Sequence, residues 1–145
     1  PWTLDLAAWG SGIEAIDADR LFGRIAAAEA ALGGFLADYD VILSPVLRLP
    51  ALPIGALAPD RPFDEIMALM FDYVSYTPLH NLTGLPAISL PLYPGDGVPI
   101  GSMFAAARGQ EPALLALAYE LEAAAPWSGR WPAHSIGATS ALTTA

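Results

Sequence analysis

Lysine and cysteine are both absent from this sequence of 145 residues, and all six of its basic residues are arginines. The lack of cysteine excludes disulfides, thiol chemistry and cysteine-ligated metal sites. The lack of lysine excludes the lysine-dependent phosphate-binding loop. The formal net charge of −9 repels phosphate groups, so nucleic acid is not an expected partner. A cysteine-free acidic chain fits a cytoplasmic location.

Charge of either sign is also scarce. Charged residues make up 14% of the chain and hydrophobic residues 54%, whereas soluble domains usually carry about 25% charged residues. A chain this apolar cannot cover its own surface with polar groups. The composition therefore predicts either that the chain associates with itself, possible forms including a homodimer, or that it comes from a larger protein. Residues 73–95 lack formal charge, but four prolines there exclude a membrane-spanning helix.

Hydrophobic spacing predicts an α/β chain. Residues 1–16 read as an irregular lead-in. Helical spacing covers Asp17 to Leu36, with Asp17 or Asp19 as the N-cap. The run from Asp40 to Pro45 predicts a buried strand, central and parallel. A proline-rich loop then leads to a helix from Phe63 to about Tyr73.

The second half of the sequence predicts a hairpin and a final helix. A helical turn from Thr77 to Thr83 should stop at Gly84. Strands over 86–92 and 99–106 flank a turn at 94–97, in a sheet covered on both faces. A helix follows over 111–125, with Pro112 in its first turn. One domain segment is expected over 1–133, followed by a frayed tail over 134–145.

Familiar catalytic patterns are missing. The sequence has no Gly-x-Ser-x-Gly elbow and no Gly-x-Gly-x-x-Gly loop, and its two histidines offer no metal-ligand cluster. We therefore expect no cofactor and no metal. His80 lies near Ser75 and Asp72 in sequence, so a small independent hydrolase built on a triad is one hypothesis. A structural histidine is the favoured interpretation.

Four segments, in order, resemble the amidase signature family. Asn81 to Pro91 is similar to that family's Asn-x-Thr-Gly-x-Pro-Ala-x-Ser-x-Pro stretch, and Gly97 to Gly101 to its Leu-Pro-Val-Gly strand. Tyr39 to Pro45 resembles its Tyr-Asp-Val-Leu-Leu-Thr-Pro strand, and the segment from Gly109 its last helix. The sequence departs from the family's usual residues at three positions, which are Met103, Ala106 and His80. The resemblance does not separate subgroups such as the 6-aminohexanoate-cyclic-dimer-hydrolase-like amidases.

The resemblance implies the C-terminal part of a mixed-sheet fold, with helices packed on a β-hairpin and a central strand. It also implies amide hydrolysis by a Ser-Ser-Lys relay that lies upstream, because this chain has no lysine. The chain would then be inactive alone, with the N-terminal catalytic part of the same enzyme as its partner. A non-catalytic protein-interaction module or pseudoenzyme remnant is the alternative. The residues expected to wall the substrate pocket are Ser44, Pro45, Val46, Tyr76, Leu79 and Asn81.

Overall fold

A computed structural model describes residues 2–93 and 97–131 of the chain. Five helices and three strands follow in the order α1 (Trp2–Gly10), α2 (Ala15–Phe35), β1 (Ile42–Pro45), α3 (Phe63–Tyr73), α4 (Thr77–Thr83), β2 (Ala87–Tyr93), β3 (Ile100–Ala105) and α5 (Glu111–Ala124). The predicted turn at 94–97 falls mostly outside the described residues, and the predicted tail over 134–145 lies wholly outside them. The predicted domain extent of 1–133 stays a prediction.

The three strands form one antiparallel sheet in the order β1-β3-β2. The predicted hairpin of β2 and β3 is confirmed, with Ile88 opposite Phe104 and Ser89 opposite Met103. Between Leu90 and Tyr93 the register shifts, so β2 carries one extra residue there. Pro91 lies in this bulge, where its missing N–H costs no ladder bond.

The prediction for β1 was wrong in three respects, the first being that none of its four residues is buried. The strand pairs antiparallel with β3, and among the described strands it lies at one side of the sheet. The central strand is β3, whose consecutive residues Met103, Phe104 and Ala105 are all buried. Since neighbouring residues of a strand face opposite sides, both faces of the sheet are covered there. An apolar run favours a buried strand, but by itself it establishes neither the burial, the direction nor the position of that strand in the sheet.

The core lies between the sheet and α5. Leu90, Phe104, Ala106 and Leu114 form its buried centre. Around this centre pack partly buried apolar residues from the sheet, from α5 and from the chain after it: Val41, Ile88, Leu92, Leu117, Ala118, Leu121 and Trp127. Beyond α5, the Arg130 guanidinium donates to the Pro91 carbonyl at 2.9 Å and ties the end of the described chain to the β2 bulge.

Two predictions about the N-terminal part were also wrong. The lead-in contains a helix, α1, whose apolar side chains point in all directions and therefore gave no helical period. It packs on α3, with the Trp2 and Phe63 rings 6.4 Å apart. Helix α2 begins after Glu14 without a side-chain cap. Asp17 lies inside the helix and pairs with Arg20 at 3.3 Å instead.

Other features of the predicted pattern are confirmed. Helices α3 and α5 occupy the predicted segments, and α4 stops at Gly84. No helix or strand lies between Pro45 and Phe63, as the prolines required. Within residues 2–93 and 97–131, no helix combines the length and hydropathy that crossing a membrane requires.

Candidate functional site

The end of strand β1 contributes the first three predicted pocket residues. Ser44 is half-buried, and its hydroxyl donates to the Pro45 carbonyl at 3.1 Å. Pro45 is exposed, and Val46 is half-buried. Ser44 lies opposite Met103, which in turn lies opposite Ser89, so the two serines share one face of the sheet. Ser89 is exposed and was not among the predicted site residues.

Gly101 lets the chain after β1 approach this face closely. A Cβ atom at Gly101 would lie 2.7 Å from Ser89 Oγ and 2.8 Å from Val46 Cγ2. Both distances are shorter than van der Waals contact, so only glycine fits without a shift of its neighbours. Gly101 ends the segment that resembles the Leu-Pro-Val-Gly strand, but its crowding depends on residues from two other segments and was not predicted.

Arg48 ties the segment after β1 to the end of α3. Its backbone N–H donates to the Tyr73 carbonyl at 3.1 Å, and its Nε donates to the Asp72 carbonyl at 3.2 Å. The guanidinium also pairs with the Asp72 carboxylate. These contacts hold the residues after Val46 beside the α3–α4 junction, where Tyr76 lies.

Helix α4 and its N-cap residue, Tyr76, contribute the other three predicted pocket residues. The helix buries His80 and Thr83, whereas Tyr76, Leu79 and Asn81 are exposed. Successive helical residues turn by about 100°, so Leu79 and Asn81 differ by about 200° and point to nearly opposite sides. One compact pocket wall can therefore include Leu79 or Asn81 but not both from the same side.

The C-terminus of α4 is held by a residue that the sequence did not single out. Gly84 has φ +67° and its N–H donates to the His80 carbonyl at 2.9 Å, which closes the helix in a left-handed cap. Arg108 Nη2 donates to the Thr83 carbonyl at 2.9 Å and to Glu29 Oε1 at 2.6 Å. Arg108 thus joins α4 to α2.

His80 is buried, with 7% of its surface exposed, and its Nδ1 has no hydrogen-bond partner within the described part of the chain. Burial lowers the pKa of the His80 imidazole below its usual 6.5, because desolvation disfavours the charged form. A neutral buried histidine fits the structural interpretation.

The groups suggested as its triad partners are engaged elsewhere. The Ser75 hydroxyl donates to the Asp72 carbonyl at 2.8 Å, and the Asp72 carboxylate pairs with Arg48. A base must accept the proton of its serine, and a carboxylate must orient that base. The geometry gives the triad hypothesis no support. Within residues 2–93 and 97–131, no cluster of three or more histidine and acidic side chains could hold a metal ion.

Comparison with known proteins identifies the family. The family model described as Amidase matches residues 20–115. The chain is 48% identical to the amidase AmiC of Mycobacterium leprae over 95 residues, which are 65% of this chain and 20% of that protein. It is 32% identical to the acylamidase of Rhodococcus erythropolis over 104 residues, which are 70% of this chain and 22% of that protein.

A solved structure matches almost the whole chain. The structure of 6-aminohexanoate cyclic dimer hydrolase superposes with a TM-score of 0.77 at 26% identity, over 91% of this chain and 29% of that one. The chain spans about a fifth of the length of the curated relatives named above. The family match, these relatives and this superposition agree, and the chain belongs to the Amidase family.

Proposed function

We propose that this chain is the C-terminal part of an amidase that hydrolyses carboxylic amide C–N bonds. The observation that carries the proposal is the match of residues 20–115 to the Amidase family. In this proposal the chain supplies sheet strands and one wall of the substrate pocket. A cytoplasmic location and the absence of a cofactor belong to the same proposal.

The reacting groups would lie outside these 145 residues. A serine hydroxyl is a weak nucleophile until a base removes its proton. In the proposed Ser-Ser-Lys relay, a neutral lysine accepts that proton through a bridging serine. The chain contains no lysine, so the N-terminal catalytic part of the same enzyme would have to provide this base. We therefore expect the chain to be inactive alone.

The proposed pocket wall consists of Ser44, Pro45, Val46, Tyr76 and Leu79 on one side, and the sixth predicted residue, Asn81, could join it only from another side because it points nearly opposite to Leu79 on α4. Two contacts support placing the two groups of residues together. Val46 lies against the sheet face at Gly101, and Arg48 bonds to Tyr73 three residues before Tyr76. Tyr76 and Leu79 are large, exposed and apolar in part, which suits the hydrocarbon portion of an acyl group.

The test compares the intact protein with the isolated chain. Both are assayed against a short aliphatic amide, a longer aliphatic amide and an aryl amide, and release of the amine is measured. We expect turnover by the intact protein and none by the isolated chain. Hydrolysis by the isolated chain, or none by the intact protein, would overturn the proposal. The second result would favour the protein-interaction module.

A pair of exposed leucines tests the wall. Leu79→Ala removes a proposed acyl contact, so kcat/KM for the longer aliphatic amide should fall more than that for the short one. Leu115→Ala is the matched control because Leu115 is also exposed but lies on α5. If the two substitutions changed the ratio of kcat/KM for the longer amide to that for the short amide equally, Leu79 would not belong to the wall.

A further inference from the structure

We propose that Arg108 is the positioning residue for α4, and through α4 for the Tyr76 and Leu79 side of the substrate wall. This inference rests on the proposed amidase function. It adds a supporting residue, from the segment between β3 and α5, to a wall built from the end of β1 and from α4. Arg108 itself is not proposed to touch the substrate.

The guanidinium contacts two other parts of the chain at one point, the end of α4 and the helix α2. Nη2 donates to the Thr83 carbonyl at 2.9 Å and to Glu29 Oε1 at 2.6 Å, although Glu29 is 79 residues away in sequence. Its plane also covers Gly84, because a Cβ there would lie 3.2 Å from Nη1 and 3.3 Å from Nη2. One side chain thus fixes the end of α4 against α2 and against the exit of β3.

Helix α4 needs such an external tie. It has seven residues, fewer than the roughly 12–15 that an isolated helix needs to be even marginally stable. The last carbonyls of a helix lack partners within the helix, and Thr83 obtains one from Arg108. The Thr83 hydroxyl is already occupied, because it donates to the Leu79 carbonyl at 2.8 Å.

The energetics indicate a role in position more than in overall stability. The Arg108 and Glu29 side chains are 63% and 46% exposed, and ion pairs so exposed contribute little to folding. The bond to the Thr83 carbonyl is directional and charge-assisted, so it defines where the last turn of α4 lies. Loss of Arg108 should therefore shift or loosen α4 without unfolding the sheet.

The experiment uses the intact protein with Arg108→Ala, Arg108→Lys and Glu29→Gln. The control is Arg20→Ala, because Arg20 forms an exposed ion pair inside α2 that joins no other element. Kinetics on the longer aliphatic amide and hydrogen exchange of the α4 and β2–β3 amides are measured for each variant. Amide exchange reports how readily each element opens, independently of why the kinetics change.

For Arg108→Ala we expect KM to rise about tenfold with kcat changed less than about twofold, because substrate contacts weaken while the reacting groups stay in place. Amide exchange should accelerate in α4 and not in β2–β3. In Arg108→Lys the lysine keeps one donor group, so KM should rise less than in Arg108→Ala. Glu29→Gln should also raise KM less than Arg108→Ala does. Arg20→Ala should match the wild type.

Three outcomes overturn the inference. If the wild type is active and the Arg108→Ala variant keeps the wild-type KM, Arg108 has no positioning role. Equal acceleration of exchange in α4 and in β2–β3 assigns Arg108 to general stability instead. An intact wild type that hydrolyses none of the amides overturns the proposed function, and this role falls with it.

Discussion

Among single residues, Gly101 has the least room for change. A methyl group there would lie within 3 Å of both Ser89 Oγ and Val46 Cγ2. We expect Gly101→Ala to lower the free energy of unfolding by about 1–3 kcal/mol, as overpacking usually does. Urea-induced unfolding measures the change.

Two further variants control this prediction. Gly33 lies in α2 with nothing within 4 Å of an added Cβ, so Gly33→Ala should stabilise the chain by roughly 0.5–1 kcal/mol. Val46→Ala in the Gly101→Ala background should recover part of the loss. If Gly101→Ala and Gly33→Ala changed stability by the same amount in the same direction, the crowding at Gly101 would not be the cause.

His80 should make the free energy of unfolding depend on pH. Its folded-state pKa is lowered from 6.5 by desolvation, so the unfolded chain binds the proton more tightly. The contribution of His80 to stability is then complete above pH 6.5 and is lost as pH falls from there through the folded-state pKa. We expect the free energy of unfolding of the wild type to fall more steeply than that of His80→Gln in this window. Parallel slopes would assign the dependence to other groups.

Some of these residues could be found from sequence and others could not. Gly84 was predicted as a helix stop because glycine readily adopts positive φ. Arg108 and Arg48 were missed because their partners lie 79 and 24 residues away, and no local pattern encodes such a contact. Ser89 and Gly101 became visible only when the strand register placed them beside Val46.

At the scale of elements, proline and glycine made the hairpin and the last three helices predictable. The direction of β1 was not predictable, because Val41, Ile42 and Leu43 would suit a buried strand of either orientation. Helix α1 was missed since it buries no residue and shows no apolar stripe. Local spacing therefore located every described element except α1, and tertiary pairing specified how the elements are arranged.

Helix α5 offers a direct test of which face makes the core. Leu114 is 3% exposed and Leu115 is 53% exposed, although they are neighbours in the same helix. Leu114→Ala should lower the free energy of unfolding by about 2–5 kcal/mol through lost contacts and a cavity. Leu115→Ala should change it by less than about 0.5 kcal/mol. Urea-induced unfolding of both variants decides, and a larger effect at Leu115 would mean that α5 is rotated.

The whole molecule has a small core and much apolar surface. Its core has a centre of four residues, and within the described part of the chain no large side chain is completely buried. Large apolar side chains are exposed on α1, α2 and the proline-rich loop, including Trp9, Phe22 and Ile54. This distribution agrees with the apolar composition of the sequence, and it is what a segment of a larger amidase would expose when isolated.

Strand β1 carries the clearest consequence for the isolated chain. Among the described strands it pairs only with β3, so its other side presents backbone donors and acceptors to solvent. Pro45 has no N–H to offer, which leaves Ile42, Leu43 and Ser44 as the segment able to recruit another strand. Leu43 is 63% exposed and adds an apolar side chain to that segment.

We expect the isolated chain, on prolonged incubation, to stack through this segment into cross-β fibrils that bind thioflavin T. Leu43→Lys should lengthen the lag phase, because repeated positive charges repel one another along the fibril axis. Ile54→Lys adds the same charge to the proline-rich loop, outside the sheet, and should leave the lag unchanged. If both substitutions delayed fibrils equally, net charge would be the cause. A delay by Leu43→Lys alone would identify Ile42 to Ser44 as the segment that nucleates the fibrils, and no delay by Leu43→Lys would contradict the prediction.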